Sequence, residues 1–404
     1  MEFPEETQQH ENCPKDSPFL CGTKTLARGL CLKEKADCHK RTIDKRPTLI
    51  IPEDAAGKQY GYFSEFLGKG CYIDNPINLK IDYQQTYADY DTVPANFSLL
   101  TYNIWGLSSK PTLIKLFRLR KPLLLKTLTD TNADMFCLQE MSAESYKEMA
   151  DWISHYKFAS EIPFPANKVL RNRNVDVYFV SKYRPQKITI YGIKGVLGYE
   201  NSLLVIEYPN LVIFNIYNQA GSKHSIGQEK TWIHYSRCRY DILNIIYDML
   251  PKDKNTVICG DFNFDLDGPV NEWPEQEMIE KFKTLGFVDT YRRVRKRGGL
   301  TEDTDINLMR WNQKLIEKRY RYDGILYMGI WQIANSRIIG TDLRYLSEED
   351  SEWFYEELSE ATTKDRLRGT IKTKKGLRLP INASDHFGVL TKFRNNKNRR
   401  TRRK

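Results

Sequence analysis

Short apolar runs, most of them ended by a polar residue, recur between residues 97 and 390. FSLLTY at Phe97–Tyr102, MFCL at Met135–Leu138 and the run Val175–Val180 have the length of buried strands rather than of helices. SLLVIEY and LVIFNIY flank Pro209-Asn210 and read as a hairpin ending at Tyr217. In Thr256–Asp265, TVICGDFNFD, the apolar run is Val257, Ile258 and Cys259. Gly260 ends it and permits a tight turn, and Asp261 and Asn263 follow. GFVDTYR, RYDGILYM and SDHFGVL complete the set of short strands. Between them apolar residues recur at helical spacing. A basic, Leu-rich region follows Gly106 and closes before Asn132, and Pro122 within it predicts a kink or two helices. Tyr146, Met149, Ala150 and Ile153 mark a helix starting near Ser142. Thr231–Leu250 carries Tyr235, Cys238, Ile242, Ile245, Ile246 and Met249 on one side. Met278, Ile279, Phe282 and Leu285 mark another helix, stopped by Gly286. The strands and helices predict an α/β fold without internal repeats.

The polar ends of the strands are Asn103, Glu140, Tyr217, Asp261, Asn263, Asp323, Asp385 and His386. Singly, each has an ordinary reading: Gly-Asp-x-Asn is turn chemistry, and a lone His is usually structural. Together they recur at the same end of successive buried strands, where open α/β sheets place ligands. They also supply one coherent chemistry. Hard oxygen donors such as Glu140 and Asp385 suit Mg²⁺ or Mn²⁺. Asp261 can take a proton from water or hold a cation, and Asn263 can hydrogen-bond a phosphoryl oxygen. His386 can bind a phosphoryl oxygen or pass protons if a carboxylate such as Asp323 fixes its tautomer.

At TYNIWGL, CLQE, ICGDFNFD, RYDGIL and ASDHFGV, in that order, the chain resembles the endonuclease/exonuclease/phosphatase superfamily. That superfamily includes DNase I, abasic-site endonucleases, tyrosyl-DNA phosphodiesterase 2, inositol polyphosphate 5-phosphatases and neutral sphingomyelinases. The resemblance implies a DNase I-like two-sheet α/β sandwich flanked by helices, with a metal-dependent site at one rim. It implies Glu140 as the main Mg²⁺ ligand, Asn103 beside it and Asp385 at the second edge of the metal site. Asp261 would align or deprotonate the attacking water, Asn263 would hold the phosphate, and His386 paired with Asp323 would stabilise the charged phosphorane. Two positions depart from the family pattern. Tyr217 stands where most members carry a His, although abasic endonucleases use a Tyr. Trp105 stands where the nucleases commonly have Asp, and N-x-W-G, with Thr301 and Asn307, looks more like the sphingomyelinases.

The ends of the chain differ in composition from this body. Cys13, Cys21, Cys31 and Cys38 crowd the first forty residues with His39 alongside. Their gaps match no zinc-finger spacing, and nothing at the start MEFPEETQQHENC reads as a secretory signal, so a Zn²⁺ site and a pair of disulfides both stay open. The expected organisation is a Cys-rich segment at 1–40, an extension or linker at 41–95, a catalytic domain at 96–393 and a basic tail at 394–404. With 40% apolar residues there is ample core, and no apolar stretch is long enough for a membrane span. Cytoplasm or nucleus is the expected compartment, and a monomer the expected state.

Charge bears on the substrate. Of the net +10, eight cations lie in the last thirteen residues, KFRNNKNRRTRRK. YRRVRKR at 291–297 is a second basic run, and KDRLRGTIKTKKGLRLP, after the acidic helix SEEDSEWFYEELSE, is a third. Each could be a solvated surface, but together they favour nucleic acid as partner. A Mg²⁺-dependent phosphodiesterase acting on nucleic acid is therefore the expected function. A phospholipid or inositol phosphate is the alternative substrate, and an inactive nucleic-acid-binding module the rival from another class. The intact Glu140, Asp261, Asn263, Asp385 and His386 argue against an inactive module.

Overall fold

Most of the apolar runs become strands of two stacked sheets, because residues covered on both faces must be apolar at every position. The computed structural model describes residues 78–106, 111–160, 177–194, 200–221, 232–270, 272–309, 318–357 and 369–395. It also describes three short paired strands, Gln8–Gln9, Phe19–Cys21 and Leu30–Leu32. Cys13 and Cys38 lie outside the described residues, as does the tail beyond Asn395.

In chain order the main elements begin with β1 (Asn78–Thr86), β2 (Phe97–Asn103), α1 (Pro111–Thr131), β3 (Met135–Gln139) and α2 (Ala143–Ser154). Then come β4 (Phe158–Ala159), β5 (Val177–Ser181), β6 (Lys187–Lys194), β7 (Glu200–Glu207), β8 (Leu211–Tyr217) and α3 (Trp232–Asp248). They are followed by β9 (Asn255–Asp261), α4 (Gln276–Thr284), β10 (Val288–Asp289) and α5 (Thr290–Val294). The short pair β11 (Glu302–Asp303) and β12 (Arg319–Tyr320) precedes β13 (Asp323–Met328) and β14 (Gln332–Ile339). Helix α6 (Glu348–Glu357) and β15 (Gly388–Arg394) complete the set. One sheet has the order β10-β13-β9-β8-β7-β6-β1, the other β14-β15-β2-β3-β5-β4.

Alternation along each strand divides the core into layers. Leu99, Met135, Cys137, Phe179, Ile213, Val257, Cys259, Ile325 and Val389 meet between the sheets. Their neighbours Leu100, Phe136, Leu138 and Val180 face outwards, onto Leu124 and Leu128 of α1 and Met149 and Trp152 of α2. On the far side Phe214, Ile216 and Ile258 pack on Leu243 and Ile246 of α3 and Phe282 of α4. The molecule is thus a two-sheet α/β sandwich with helices outside.

The structure departs from the sequence reading in five places. β1 lies within the stretch assigned to an extension or linker, yet it pairs with β6 along its whole length and closes one edge of the larger sheet. Only one side of an edge strand is covered, so NLKIDYQQT carries no apolar run to reveal it. β6 and β14 were likewise unforeseen; a register shift between Ile333 and Asn335 breaks the period-two pattern of β14. Helix α1 passes through Pro122, which lies on its exposed side while Leu123 and Leu124 stay buried. The stretch GFVDTYR forms only a two-residue strand, because the Asp289 side chain accepts from the Tyr291 and Arg292 amides at 2.9 and 3.1 Å and starts α5.

Gly260 shows how closely the sheet is built. Its φ is +140°, and a Cβ there would run into the carbonyl oxygen of Ile216 on the neighbouring parallel strand. Gly260→Ala is expected to lower the unfolding free energy by about 2 kcal/mol or more, from backbone strain and displacement of β8. Urea unfolding checks this, and a loss below about 0.5 kcal/mol would contradict the close approach.

Candidate active site

Two parallel strand pairs bring the polar ends together. β2 and β3 are parallel with α1 between them in sequence, and β8 and β9 are parallel with α3 between them. Their carboxyl ends deliver Asn103, Glu140, Tyr217 and Asp261 to one rim. The antiparallel strands β13 and β15 start at that rim, with Asp323 and just after Asp385-His386. Tyr217, Asp261 and Asp323 are consecutive partners across the larger sheet.

Asp261 is the hub. Its Oδ2 accepts from Asn103 Nδ2 at 3.0 Å, and its Oδ1 accepts from the Asn263 amide at 2.9 Å. Asn263, at φ +54°, turns its Nδ2 onto the Asn218 carbonyl at 2.8 Å. The same Nδ2 also donates to Asp261 Oδ2 at 3.4 Å, a long contact that a better-placed acceptor can displace. Burial pushes the Asp261 carboxyl up to about 7, with His386 pulling it down and Asp323 pushing it further up. A carboxylate that titrates near neutrality is matched to taking a proton from water.

Glu140 forms the opposite wall. Its Oε1 accepts from Asn103 Nδ2 at 3.0 Å and from the Tyr217 hydroxyl at 2.8 Å. Burial and the nearby charge of Asp385 raise its pKa. Asn103 Oδ1 accepts from the Trp105 amide at 2.9 Å, which fixes the orientation of the bridging amide. Glu140 and Trp105 have φ of +55° and +51°; with Asn263 they are three of the four non-glycine residues with positive φ among the described residues. Strain thus concentrates at this rim, where surrounding contacts hold it. The glycine of N-I-W-G has a reason too: a Cβ on Gly106 would stand 2.6 Å from the Glu140 carbonyl oxygen.

His386 and Asp323 close the third side. The His386 Nδ1–H donates to Asp323 Oδ2 at 2.8 Å, and Asp261 Oδ2 lies 3.9 Å from the same nitrogen. Burial alone would lower the imidazole pKa, but Asp323 and Asp261 raise it to about 10, so the ring is a cation at neutral pH. Among the described residues, Asp261, Asp323 and His386 have ligand atoms within 4.8 Å of one another. Because His386 Nδ1 holds a proton for Asp323, that nitrogen is not a metal donor. Asp385 Oδ1 accepts from Ser384 Oγ at 3.3 Å, and its charge acts on both Glu140 and His386.

Several residues of this architecture carried no signal in the strand-end pattern. Arg120 of α1 is buried, and its guanidinium donates to the carbonyls of Ile104 (2.8 Å), Ala383 (2.5 Å) and Trp105. It clamps the turn after Asn103 to the turn before Asp385. Ser384 Oγ donates to the Asn103 carbonyl at 2.8 Å and ties the same turns together. Arg239 of α3 pairs with buried Glu275 at 2.6 Å and donates to the Gln219 and Gly221 carbonyls, holding the loop after Tyr217. Thr301 and Asn307 have structural duties. Thr301 Oγ1 accepts from the Asp323 amide at 2.9 Å, and Asn307 Nδ2 donates to the Ser384 carbonyl at 2.9 Å.

A two-sheet sandwich with hard oxygen donors, a buried carboxylate and a charged imidazole at one rim has the equipment of a phosphoesterase. Residues 100–312, just over half of the chain, match the profile of the Endonuclease/Exonuclease/phosphatase family. The chain belongs to that family, whose members hydrolyse phosphoesters. Similar solved structures include D. rerio TDP2 complexed with single-strand DNA product, with 15% identity, 74% of this chain and 99% of that chain covered, and a TM-score of 0.46. TDP2 from C. elegans has 15% identity, coverage of 74% and 75%, and a TM-score of 0.44. Beta toxin from Staphylococcus aureus has 14% identity, coverage of 73% and 99%, and a TM-score of 0.46. No curated protein sequence matches the chain. Among the described residues no helix is long and apolar enough to cross a membrane.

Proposed function

We propose that the chain is a divalent-metal-dependent phosphodiesterase acting on nucleic acid. The observation that carries this reading is the single hydrogen-bonded network joining Glu140, Asn103, Asp261 and Asn263, beside the His386–Asp323 pair. Asp261 aligns the attacking water and takes its proton. Asn263 Nδ2 holds a phosphoryl oxygen by exchanging its long 3.4 Å bond to Asp261 Oδ2 for one to the substrate. The cationic His386, kept charged by Asp323, stabilises the negative charge that builds on the phosphorane. Tyr217 and Asn103 hold Glu140 in place through their bonds to its Oε1.

The donor set fits a hard cation. Burial first and the charge of Asp385 second raise the Glu140 pKa, and a Mg²⁺ or Mn²⁺ ion would relieve both. Glu140 and Asp385 would hold the ion, with Asn103 flanking it. When bound, the ion would neutralise phosphate charge and polarise the scissile bond.

Nucleic acid is favoured over a lipid headgroup by the basic runs. Of the features that resembled sphingomyelinases, Thr301 and Asn307 brace the rim through their own bonds, while Trp105 in N-x-W-G still points towards a lipid headgroup. The test is a Mg²⁺ activity panel of single-stranded, duplex, abasic and 5′-adduct DNA, RNA, an inositol polyphosphate and sphingomyelin. Hydrolysis of one or more nucleic acids at rates well above the other two is expected. Turnover of sphingomyelin or the inositol polyphosphate with none of nucleic acid would overturn the substrate assignment.

A further inference from the structure

The segment following α5 has an unusual charge arrangement. Arg293, Arg295, Lys296 and Arg297 are exposed, and none has an acidic partner among the described residues. The cations around them do: Arg292 and Arg321 bind Asp267, Arg321 also binds Asp289, Lys318 binds Glu302, and Arg319 binds Asp305. The segment is also held firmly. Asp289 caps α5, Tyr291 is buried, and Arg292 donates back to the Gly298 carbonyl at 2.8 Å. Four unpaired cations on a braced segment form a ledge rather than a floppy tail.

This ledge leads into the rim. Thr301 lies four residues beyond Arg297, which at roughly 3.3–3.6 Å per residue is at most about 14 Å of chain. The Thr301 amide donates to the Tyr320 carbonyl at 3.0 Å while its hydroxyl accepts from the Asp323 amide. Half-buried Tyr320 stacks on Tyr322 with ring centroids 5.2 Å apart and planes at 10°. Tyr322 in turn lies 6.4 Å from the His386 ring. The end of the cation row at Arg297 is thus tethered by a short stretch of chain to an aromatic pair that adjoins the His386 imidazole.

We propose that Arg293–Arg297 and Tyr320 form a docking track for a single-stranded polynucleotide, resting on the phosphodiesterase reading of the rim. The four cations contact backbone phosphates, and the part of Tyr320 open to solvent stacks a base near the scissile phosphate. Charge complementarity alone fits any polyanion; the aromatic platform selects a ligand with flat bases over a lipid surface.

Anisotropy titration of a fluorescein-labelled 20-nucleotide single strand, in EDTA so that nothing is cleaved, tests the track. Replacing Arg293, Arg295, Lys296 and Arg297 together by Ser is expected to weaken binding at low salt by about tenfold or more and to flatten the log–log salt dependence by about three. A control with Lys126, Lys147, Lys252 and Lys283 changed to Ser alters net charge equally at exposed sites elsewhere and is expected to weaken binding much less. Tyr320→Ala is expected to cost roughly five- to a hundredfold with the salt slope unchanged, and Tyr320→Phe to keep parental affinity. Melting temperatures near the parent's establish that each variant folds. Parental affinity in both the fourfold variant and Tyr320→Ala would overturn the track, as would an equal loss in the control. Binding to phosphatidylserine vesicles that depends on the ledge, with no binding of the oligonucleotide, would overturn it in favour of a membrane surface. If the parent binds the strand through the track yet hydrolyses no nucleic acid, the docking surface stands and the catalytic reading fails.

Discussion

Asp261→Asn is expected to slow phosphodiester hydrolysis by roughly a hundredfold or more while the protein stays folded. The substitution keeps the shape and lets the Asn103 and Asn263 contacts persist in part, but removes the carboxylate proposed to take the water's proton. Burial has already raised this carboxyl to about 7, so the fold disfavours its charge. The sign for stability follows: a carboxyl whose folded pKa is raised loses stability as pH rises from its unfolded value through the folded one. At pH 8 the amide should therefore melt no lower than the parent. His386→Ala is expected to cost a similar factor, because it removes a cation aimed at developing charge. The double variant should be little slower than the slower single one, since the two groups act on one step. Rates on a small chromogenic phosphodiester, with melting curves beside them, decide the matter. Parental rates in both single variants would leave a binding protein on this fold.

Glu140→Gln is expected to have an effect of the same size on rate, through a different cause. The carboxylate would be a principal ligand of the metal, and its amide keeps the Tyr217 and Asn103 geometry only approximately. Chelation of the parent should take hydrolysis to background, and Mg²⁺ or Mn²⁺ should restore it. Stability separates this from damage to the fold. In EDTA, Glu140→Gln should melt at or above the parent, because a buried carboxylate beside Asp385 has been neutralised. Adding Mg²⁺ should raise the parent's melting temperature by binding the folded state, and should leave the variant's almost unmoved. A parent with full activity in chelator would remove the metal from the account.

The strands that carry the site were readable because both of their faces are covered. Val257, Ile258 and Cys259 are all buried, so no alternation interrupts the run, and Asp261 stands out as the polar residue that ends it. The same logic fails for β1, whose Ile81 is 52% exposed at the sheet edge, and for β14, whose register shift breaks the pattern. Arg120 was hidden for another reason. In LFRLRKPL, Arg118 and Arg120 look alike, yet Arg118 reaches out to Glu148 while Arg120 lies under the turns after Asn103 and before Asp385. Helical spacing held the clue: Leu116, Arg120, Leu124 and Leu128 recur every four residues on the buried stripe. Ser384 and Arg239 act through backbone carbonyls of distant loops, and no spacing along the chain encodes such contacts.

The central claim is that water, aligned at Asp261, attacks phosphorus at this rim. Hydrolysis of a phosphodiester in ¹⁸O-labelled water with Mg²⁺ tests it most directly, with products read by mass spectrometry. The expected result is one ¹⁸O in the phosphate product of each turnover and none in the released alcohol. Label in the alcohol, or no cleavage above a protein-free control, would contradict the claim.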